Sequence, residues 1–210
     1  MRKIMDWIFP QRCILCRTPI SSKHAVCSPC AKWILSQTPV VRRQRGVVFS
    51  VSPFAYEGAV RDALKRFKFA RRDHYACAFA EWMTIALRDT VKSDFDLATW
   101  VPVGFFRNWG RGYDQGKLLC REVARHLGLE MRRCLFKRYD NRKQSKLSAA
   151  ERQKNVENVY RILRGADLHG KRVLLVDDVT TTGATLRKCA SLLRQAGAKE
   201  VVCLTFATAR

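Results

Sequence analysis

The chain has 210 residues, of which 47% are hydrophobic, so intrinsic disorder and fibrous structure are excluded. Its 40 Lys and Arg against 18 Asp and Glu give a formal charge of +22. That surplus predicts a polyanionic partner, either nucleic acid, anionic lipid or a phosphorylated small molecule, with a surface that merely aids solubility as the alternative.

The start of the chain is basic and then apolar, but its apolar part is short and is broken by Asp6 and Pro10. This pattern argues against a cleaved signal peptide. No run approaches the roughly 18 apolar residues that a transmembrane helix needs. We therefore expect a cytoplasmic protein, with a peripheral position at the inner membrane as an extension of that expectation.

Residues 1–45 are predicted to form a separate module built around two C-x-x-C pairs. A pair of this kind places two thiolates on one metal, and two pairs complete a tetrahedral shell suited to Zn²⁺. His24 lies between the pairs as a spare ligand, and a redox dithiol or a cluster site is the alternative. The predicted ligands of this structural zinc are Cys13, Cys16, Cys27 and Cys30.

Residues 46–210 alternate between strand and helix patterns, which predicts an α/β domain with an open parallel sheet. A capping box at Ser148 and Glu151 predicts one further short helix. The predicted strands are 47–54, 97–103, 131–136, 159–163, 172–178 and 200–207, and the predicted helices are 58–70, 75–87, 114–128 and 182–197.

Two sets of residues are assigned to the core of this domain. Val60, Leu64 and Phe67 form one apolar stripe of the helix 58–70. The remaining cysteines stand alone in predicted helices and strands, so we predict that they are small core residues. They are Cys77, Cys120, Cys134, Cys189 and Cys203.

The positive charge is concentrated in three blocks. Residues 1–45 hold nine Lys and Arg against one acid, residues 61–72 six against one, and residues 131–164 eleven against three. Several separate blocks suit a long polyanion better than a small ligand. Residues 165–210 hold seven Lys and Arg against four acids and contribute little to the positive surplus.

The stretch VLLVDDVTTTGAT at 173–185 predicts a ribose-5-phosphate site. A buried strand ends in Asp177 and Asp178, and a Thr-rich turn with Gly183 then opens a helix. Hydroxyls and helix-start amides can bind one phosphate group. The adjacent carboxylates can accept hydrogen bonds from ribose hydroxyls at the carboxyl end of a parallel strand. A Thr-rich turn with capping acids is the alternative.

This stretch resembles the 5-phosphoribosyl-1-pyrophosphate (PRPP) motif of type I phosphoribosyltransferases. Other features occur along the chain in a characteristic order: the cysteine pairs, LKRFKFARR (64–72), VPVGFFRNWGRGYDQ (101–115), and then Gln144, Arg152, Asn155 and Val156. Together with the PRPP motif they make nearly the whole chain similar to the ComF family of ComFC-type competence proteins. The resemblance implies a phosphoribosyltransferase-like domain with a small N-terminal four-cysteine zinc module.

The resemblance also implies residue roles. The acid pair would bind the ribose hydroxyls, and the threonine loop would bind the 5-phosphate. The loop after the strand 97–103 would bind the pyrophosphate, and Mg²⁺ would accompany PRPP. Tyr113 and Asp114 depart from the family's usual Phe and Asn, and Phe105 stands about where the family has Pro. The PRPP residues would be Asp177, Asp178, Val179, Thr180, Thr181, Thr182, Gly183, Ala184 and Thr185, and the pyrophosphate loop Val103, Gly104, Phe105, Arg107 and Arg111.

The resemblance finally implies a role in natural transformation, with uptake of single-stranded DNA and a ComFA-type helicase as partner. The alternative is an active phosphoribosyltransferase whose acceptor and catalytic base the sequence does not identify. Aromatic residues such as Phe67 and Phe69 lie among the basic ones, a pattern that suits single strands. The expected DNA contacts are Lys65, Arg66, Lys68, Arg71, Arg72, Arg138, Arg142 and Lys143.

Overall fold

The computed structural model describes residues 11–20, 24–44, 48–69, 74–103, 114–138 and 159–209. The predicted capping box at Ser148 lies outside these ranges. The helices within them are α1 (Ser28–Leu35), α2 (Gly58–Phe69), α3 (Tyr75–Thr90), α4 (Gln115–Leu127) and α5 (Ala184–Gln195). The strands are β1 (Val40–Gln44), β2 (Val48–Ser52), β3 (Phe54–Ala55), β4 (Leu97–Trp100), β5 (Glu130–Met131), β6 (Leu135–Lys137), β7 (Tyr160–Ile162), β8 (Arg172–Thr180) and β9 (Glu200–Thr208).

Seven strands form one sheet in the order β1-β2-β9-β8-β4-β5, with β3 paired to the end of β9. All neighbouring strands are parallel except β1 and β2, so the predicted parallel α/β sheet is confirmed. Strand β1 was not predicted, because its residues were assigned to the N-terminal module 1–45. Charged residues are typical of an edge strand, where they discourage pairing with other chains.

The prediction of one strand over 131–136 is wrong. Glu130 and Met131 pair with β4, and the chain then leaves the sheet before β6 begins at Leu135. The two arginines at 132 and 133 explain the break, because a sheet covered on both faces cannot bury consecutive charges. β6 pairs with β7 in a separate antiparallel ribbon, so the predicted strand 159–163 lies outside the main sheet.

Helices cover both faces of the sheet. Alternate side chains of β8 point to opposite faces, so Leu174 and Val176 pack under α2, α3 and α4 while Val173 and Leu175 pack under α5. The predicted apolar stripe of α2 is confirmed, because Val60, Leu64 and Phe67 are at most 2% exposed. The residues Cys13, Ile14 and Leu15 of the N-terminal module belong to the same core as α2.

The prediction that all five isolated cysteines are core residues is wrong for one of them. Cys77 is exposed on α3, because it lies on the face of the helix opposite the buried Tyr75, Ala78 and Phe79. The other four are buried: Cys120, Cys134, Cys189 and Cys203. Among the described residues, no helix combines the length and apolarity needed to cross a bilayer.

Candidate phosphoribosyl-binding site

The acid pair lies near the carboxyl end of β8, at the edge of the sheet where open α/β folds bind ligands. Asp178 is 8% exposed and points towards α2. Asp177 points to the α5 face, where its charge contributes to raised pKa values of the thiols of Cys189 and Cys203. The backbone N–H of Asp178 donates to Asp177 Oδ1 over 2.8 Å. The two carboxylates thus occupy different faces of one strand.

The two acids have different electrostatic surroundings. Lys68 Nζ of α2 lies 2.8 Å from Asp178 Oδ1, and both side chains are mostly buried. Within the described ranges, no cation forms an ion pair with Asp177. Asp177 is partly exposed, yet the loss of most of its hydration raises its pKa well above its usual value, and the neighbouring charge of Asp178 raises it further. A raised pKa at the edge of an α/β sheet is typical of a functional carboxylate.

The threonine loop follows directly and leads into α5. Gly183 has φ +73°, a left-handed conformation that explains the glycine between the loop and the helix. The hydroxyl of Thr182 accepts from the N–H of Ala184 over 3.4 Å, and Thr181 and Thr182 are exposed. Thr180 is only 5% exposed and belongs to the sheet. The accessible part of the loop is therefore Thr181 and Thr182, with Ala184 and Thr185 partly exposed at the positive end of the α5 dipole.

Two arginines donate hydrogen bonds to carbonyls of the loop, and the sequence analysis missed both. Arg42 of β1 donates to the carbonyl of Thr181 over 3.3 Å and also to the carbonyl of Ala209. Arg187 of α5 donates to the carbonyl of Thr182 over 2.9 Å. With these carbonyls bonded, the loop is fixed in the form that presents hydroxyls and amides to a phosphate.

The loop expected to meet the pyrophosphate lies mostly outside the described residues. Of its members, Val103 is described and is partly buried. The rest fall in the undescribed range 104–113: Gly104, Phe105, Arg107 and Arg111.

The acid that departs from the family pattern, Asp114, is the N-cap of α4. Its carboxylate accepts from the N–H of Lys117 over 3.0 Å and from Trp100 Nε1 over 3.2 Å. Burial raises the pKa of Asp114, while these donors oppose that rise. Asp and Asn are equally good N-caps, so the substitution preserves the helix start. The negative charge at this position is accounted for by capping.

The ion pair gives a prediction for Lys68→Met, which leaves Asp178 without its cation. We expect about tenfold weaker PRPP binding, equivalent to about 1.4 kcal/mol, because an unbalanced carboxylate pair repels the phosphates. Calorimetry with PRPP and Mg²⁺ measures this change. Lys65→Met is the matched control, since Lys65 lies one turn earlier on α2 and is exposed. Equal PRPP affinity of the parent and Lys68→Met would refute this role.

The four predicted zinc ligands come together. The sulfur atoms of Cys13, Cys16, Cys27 and Cys30 all lie within 4.8 Å of one another. His24 is exposed and is not part of the cluster. Hydrogen bonds with Thr18 lower the pKa of Cys16 to about 6, whereas burial and the neighbouring thiols raise the pKa of Cys30, as expected when several thiols crowd together without a bound cation. A compact set of four thiols fits one tetrahedral Zn²⁺ and leaves no open position, so the ion would serve structure.

The residues expected to contact DNA divide into three groups. Lys65 and Arg138 are exposed. Arg66 and Lys68 point inward: Arg66 donates to the carbonyls of Ile14 and Leu15, over 2.7 and 3.0 Å, and Lys68 pairs with Asp178. Phe67 between them is buried against Phe79 and is not accessible to a base. The other expected contacts lie outside the described residues: Arg71, Arg72, Arg142 and Lys143.

Two family models match the chain. Residues 4–43 match the double zinc ribbon domain, and residues 114–210 match the phosphoribosyl transferase domain. The first match contains the four-cysteine cluster, and the second contains β8, the acid pair and the threonine loop.

Relatives match over most of the length. DNA utilization protein YhgH of Salmonella typhimurium is 30% identical, with 91% of this chain and 94% of that protein covered. Competence protein F of Haemophilus influenzae is 28% identical, and the match covers 92% of this chain and 95% of that protein. Competence protein ComFC of Streptococcus pneumoniae is 30% identical, and the match covers 88% of this chain and 74% of that protein. The resemblance inferred from the sequence is thereby confirmed: the chain belongs to the ComF family of competence proteins, and in it a zinc ribbon precedes a phosphoribosyltransferase-type domain.

Proposed function

We propose that the protein acts in DNA uptake by binding single-stranded DNA and, at the edge of its sheet, PRPP. The observation that carries the PRPP assignment is the acid pair directly before a threonine loop at the start of α5. The carboxylates accept hydrogen bonds from the two ribose hydroxyls, and the loop amides and hydroxyls bind the 5-phosphate. The names of the relatives support the uptake role, since they are competence and DNA utilization proteins.

Mg²⁺ would enter this site with the ligand. Lys68 already occupies one oxygen of Asp178, so the acid pair is a poor cage for a divalent ion. Pyrophosphate oxygens supply the ligands that Mg²⁺ prefers, and the ion would offset their charge. The protein's contribution is to position the ribose and the 5-phosphate.

The DNA assignment is supported by charge. A small phosphorylated ligand needs a few cations, whereas the whole chain carries a surplus of +22. A polyanion that spans several basic segments accounts for that surplus. We propose that the protein is cytoplasmic and works with a ComFA-type helicase. We further propose that its basic N-terminal segment contacts the surface of the inner membrane.

An active phosphoribosyltransferase is the second candidate, favoured by the raised pKa of Asp177. In this reaction the bond from ribose C1 to pyrophosphate breaks and a bond from C1 to an acceptor nucleophile forms. The acceptor's proton goes to a base, and a carboxylate with a raised pKa can take that role. Release of pyrophosphate from PRPP, measured with and without DNA, separates this candidate from a protein that binds PRPP without turnover.

Two titrations test the proposed function. Calorimetry of the parent with PRPP and Mg²⁺ should give saturable binding near one ligand per chain. Fluorescence anisotropy with a labelled oligothymidylate at several salt concentrations should give an affinity that falls steeply with salt. No PRPP binding would refute the phosphoribosyl site, and no DNA binding, or binding that salt does not change, would refute the DNA role.

A further inference from the structure

Helix α4 carries a row of exposed cations that the three basic blocks do not include. Lys117, Arg121 and Arg125 follow one another at intervals of four residues, so they lie on one side of the helix, about 6 Å apart along its axis. Lys117 is exposed, and the side chains of Arg121 and Arg125 are 64% and 61% exposed. We call these three residues the α4 basic stripe.

One carboxylate orients both arginines of the stripe. Glu122 accepts from Arg121 Nε and from Arg125 Nε, each over 3.1 Å, and its own side chain is only 16% exposed. Contact through Nε leaves the terminal nitrogens of both guanidiniums for other acceptors, although one terminal nitrogen of Arg125 lies 3.8 Å from the thiol of Cys77, a weak acceptor that a phosphate oxygen can replace. Terminal guanidinium nitrogens are the donors that bind phosphate in a forked geometry.

The position of Lys117 is unfavourable for the helix itself. It lies in the first turn of α4, where the helix dipole is positive and where no acidic residue occurs after the cap. A cation there costs about 0.3–1 kcal/mol relative to a neutral residue. The nearby carboxylate of Asp114, whose pKa the charge of Lys117 lowers, offsets part of that cost, and the exposed Lys117 remains accessible to an anion.

The stripe begins beside the candidate ligand site. Gly116 lies so close to β4 that a Cβ on it would be 3.1 Å from the carbonyl oxygen of Val101. The N–H of Val101 in turn donates to the carbonyl of Val176, the residue before Asp177, over 3.0 Å, so this end of α4 lies near the acid pair. From Lys117 the stripe then runs about 12 Å away from that site.

We propose that the α4 basic stripe is a contact surface for the phosphate backbone of single-stranded DNA. The occupant follows from charge complementarity: three cations at regular intervals match a linear polyanion better than a single small anion. The inference rests on the proposed DNA role and names one surface for it. Because base edges play no part, the contact is independent of DNA sequence.

The test is the triple variant Lys117→Gln/Arg121→Gln/Arg125→Gln in full-length protein. Each lost phosphate contact should reduce the slope of log affinity against log salt by about 0.7, so the slope should fall by about 2. Oligothymidylate binding should weaken by about 100-fold near 0.1 M salt and approach the parental value towards 1 M. Fluorescence anisotropy across that salt range measures both quantities.

The matched control removes the same charge at the opposite edge of the sheet. Lys92, Arg194 and Lys199 are exposed near the amino ends of the strands, so their replacement by Gln should leave the slope within experimental error of the parental one. Arg121→Lys/Arg125→Lys keeps the charge and should keep the slope. This charge-conserving variant shows whether substitution at these positions by itself weakens DNA binding. Thermal unfolding of every variant shows whether the fold is retained.

The outcomes separate the two proposals. A parent that does not bind the oligonucleotide refutes the DNA role and the stripe with it. A parent that binds, with an unchanged slope in the triple variant, refutes the stripe alone. Loss of binding to vesicles of anionic phospholipid without loss of DNA binding would instead make the stripe a lipid surface and overturn the proposal.

Discussion

Asp177→Asn should stabilise the fold at neutral pH while it abolishes most PRPP binding. Burial and the charge of Asp178 raise the pKa of Asp177, so ionised Asp177 is disfavoured in the folded state. Each unit of such a shift corresponds to about 1.4 kcal/mol at a pH above both pKa values. We expect a gain of about 1–2 kcal/mol in the free energy of unfolding, because Asp177 is partly exposed and solvent screens part of the cost of its charge.

The same substitution should weaken PRPP binding by about 10- to 100-fold, because a hydrogen bond to a charged acceptor is worth about 1.5–3 kcal/mol. The ribose hydroxyls would add donors to the one that the ionised acid has in the free protein, the N–H of Asp178. Stability and affinity therefore move in opposite directions, as is usual for a residue retained for function. Urea unfolding and calorimetry measure the two quantities on the same samples.

The pH dependence follows from the sign of the shift. An acid whose folded pKa is raised contributes stability below its unfolded pKa and loses that contribution as pH rises through the folded value. The difference in the free energy of unfolding between Asp177→Asn and the parent should therefore grow from about pH 4 upward and level off above the raised pKa of Asp177. Asp94→Asn, at an exposed position, is the matched control. Equal unfolding energies of the parent and Asp177→Asn at pH 8 would contradict the buried-charge argument.

The parts of this site that the sequence predicts are those that lie close together along the chain. The acid pair and the threonine loop are one continuous stretch, and each zinc knuckle spans four residues. Local patterns carry this information because strand, turn and helix start follow directly from residue type. Even the role of Asp114 was accessible, since an acid before a helical pattern is an N-cap signal.

The remaining features depend on contacts between distant residues. Lys68 and Asp178 are 110 residues apart, and Arg42 and the loop carbonyl of Thr181 are 139 apart. Nothing local distinguishes these cations from solvated ones in the same basic segments. Charge counting therefore assigned Lys68 to DNA, whereas the fold gives it a carboxylate partner. The regular spacing of the α4 basic stripe was visible in the sequence, but its exposure was not.

Helix α2 connects the first cysteine knuckle to the candidate phosphoribosyl site. Arg66 donates to the carbonyls of Ile14 and Leu15 inside the first knuckle, and two residues later Lys68 holds Asp178. Ile14 and Leu15 are at most 5% exposed and belong to the core that α2 and α3 share. A change in the knuckle therefore reaches the core and the ligand acids through one rigid element.

This connection predicts the effect of Cys13→Ser, which removes one zinc ligand. We expect loss of the metal and at least about 4 kcal/mol of stability, because zinc-binding energy is folding energy in such modules. For a chain of this size the unfolding temperature should fall by about 8–16 °C. PRPP affinity should fall as well, since α2 loses the carbonyls that hold Arg66. Metal analysis, calorimetric unfolding and PRPP titration measure the three effects.

Cys77→Ser is the matched control, because Cys77 is an exposed cysteine outside the four-sulfur cluster. It should retain about one zinc per chain, the parental unfolding temperature and the parental PRPP affinity. Cys13→Ser with full zinc content would refute the four-thiolate site. Cys13→Ser with lost zinc but unchanged PRPP affinity would refute the connection through α2, since Arg66 and Lys68 would then hold their partners independently of the knuckle.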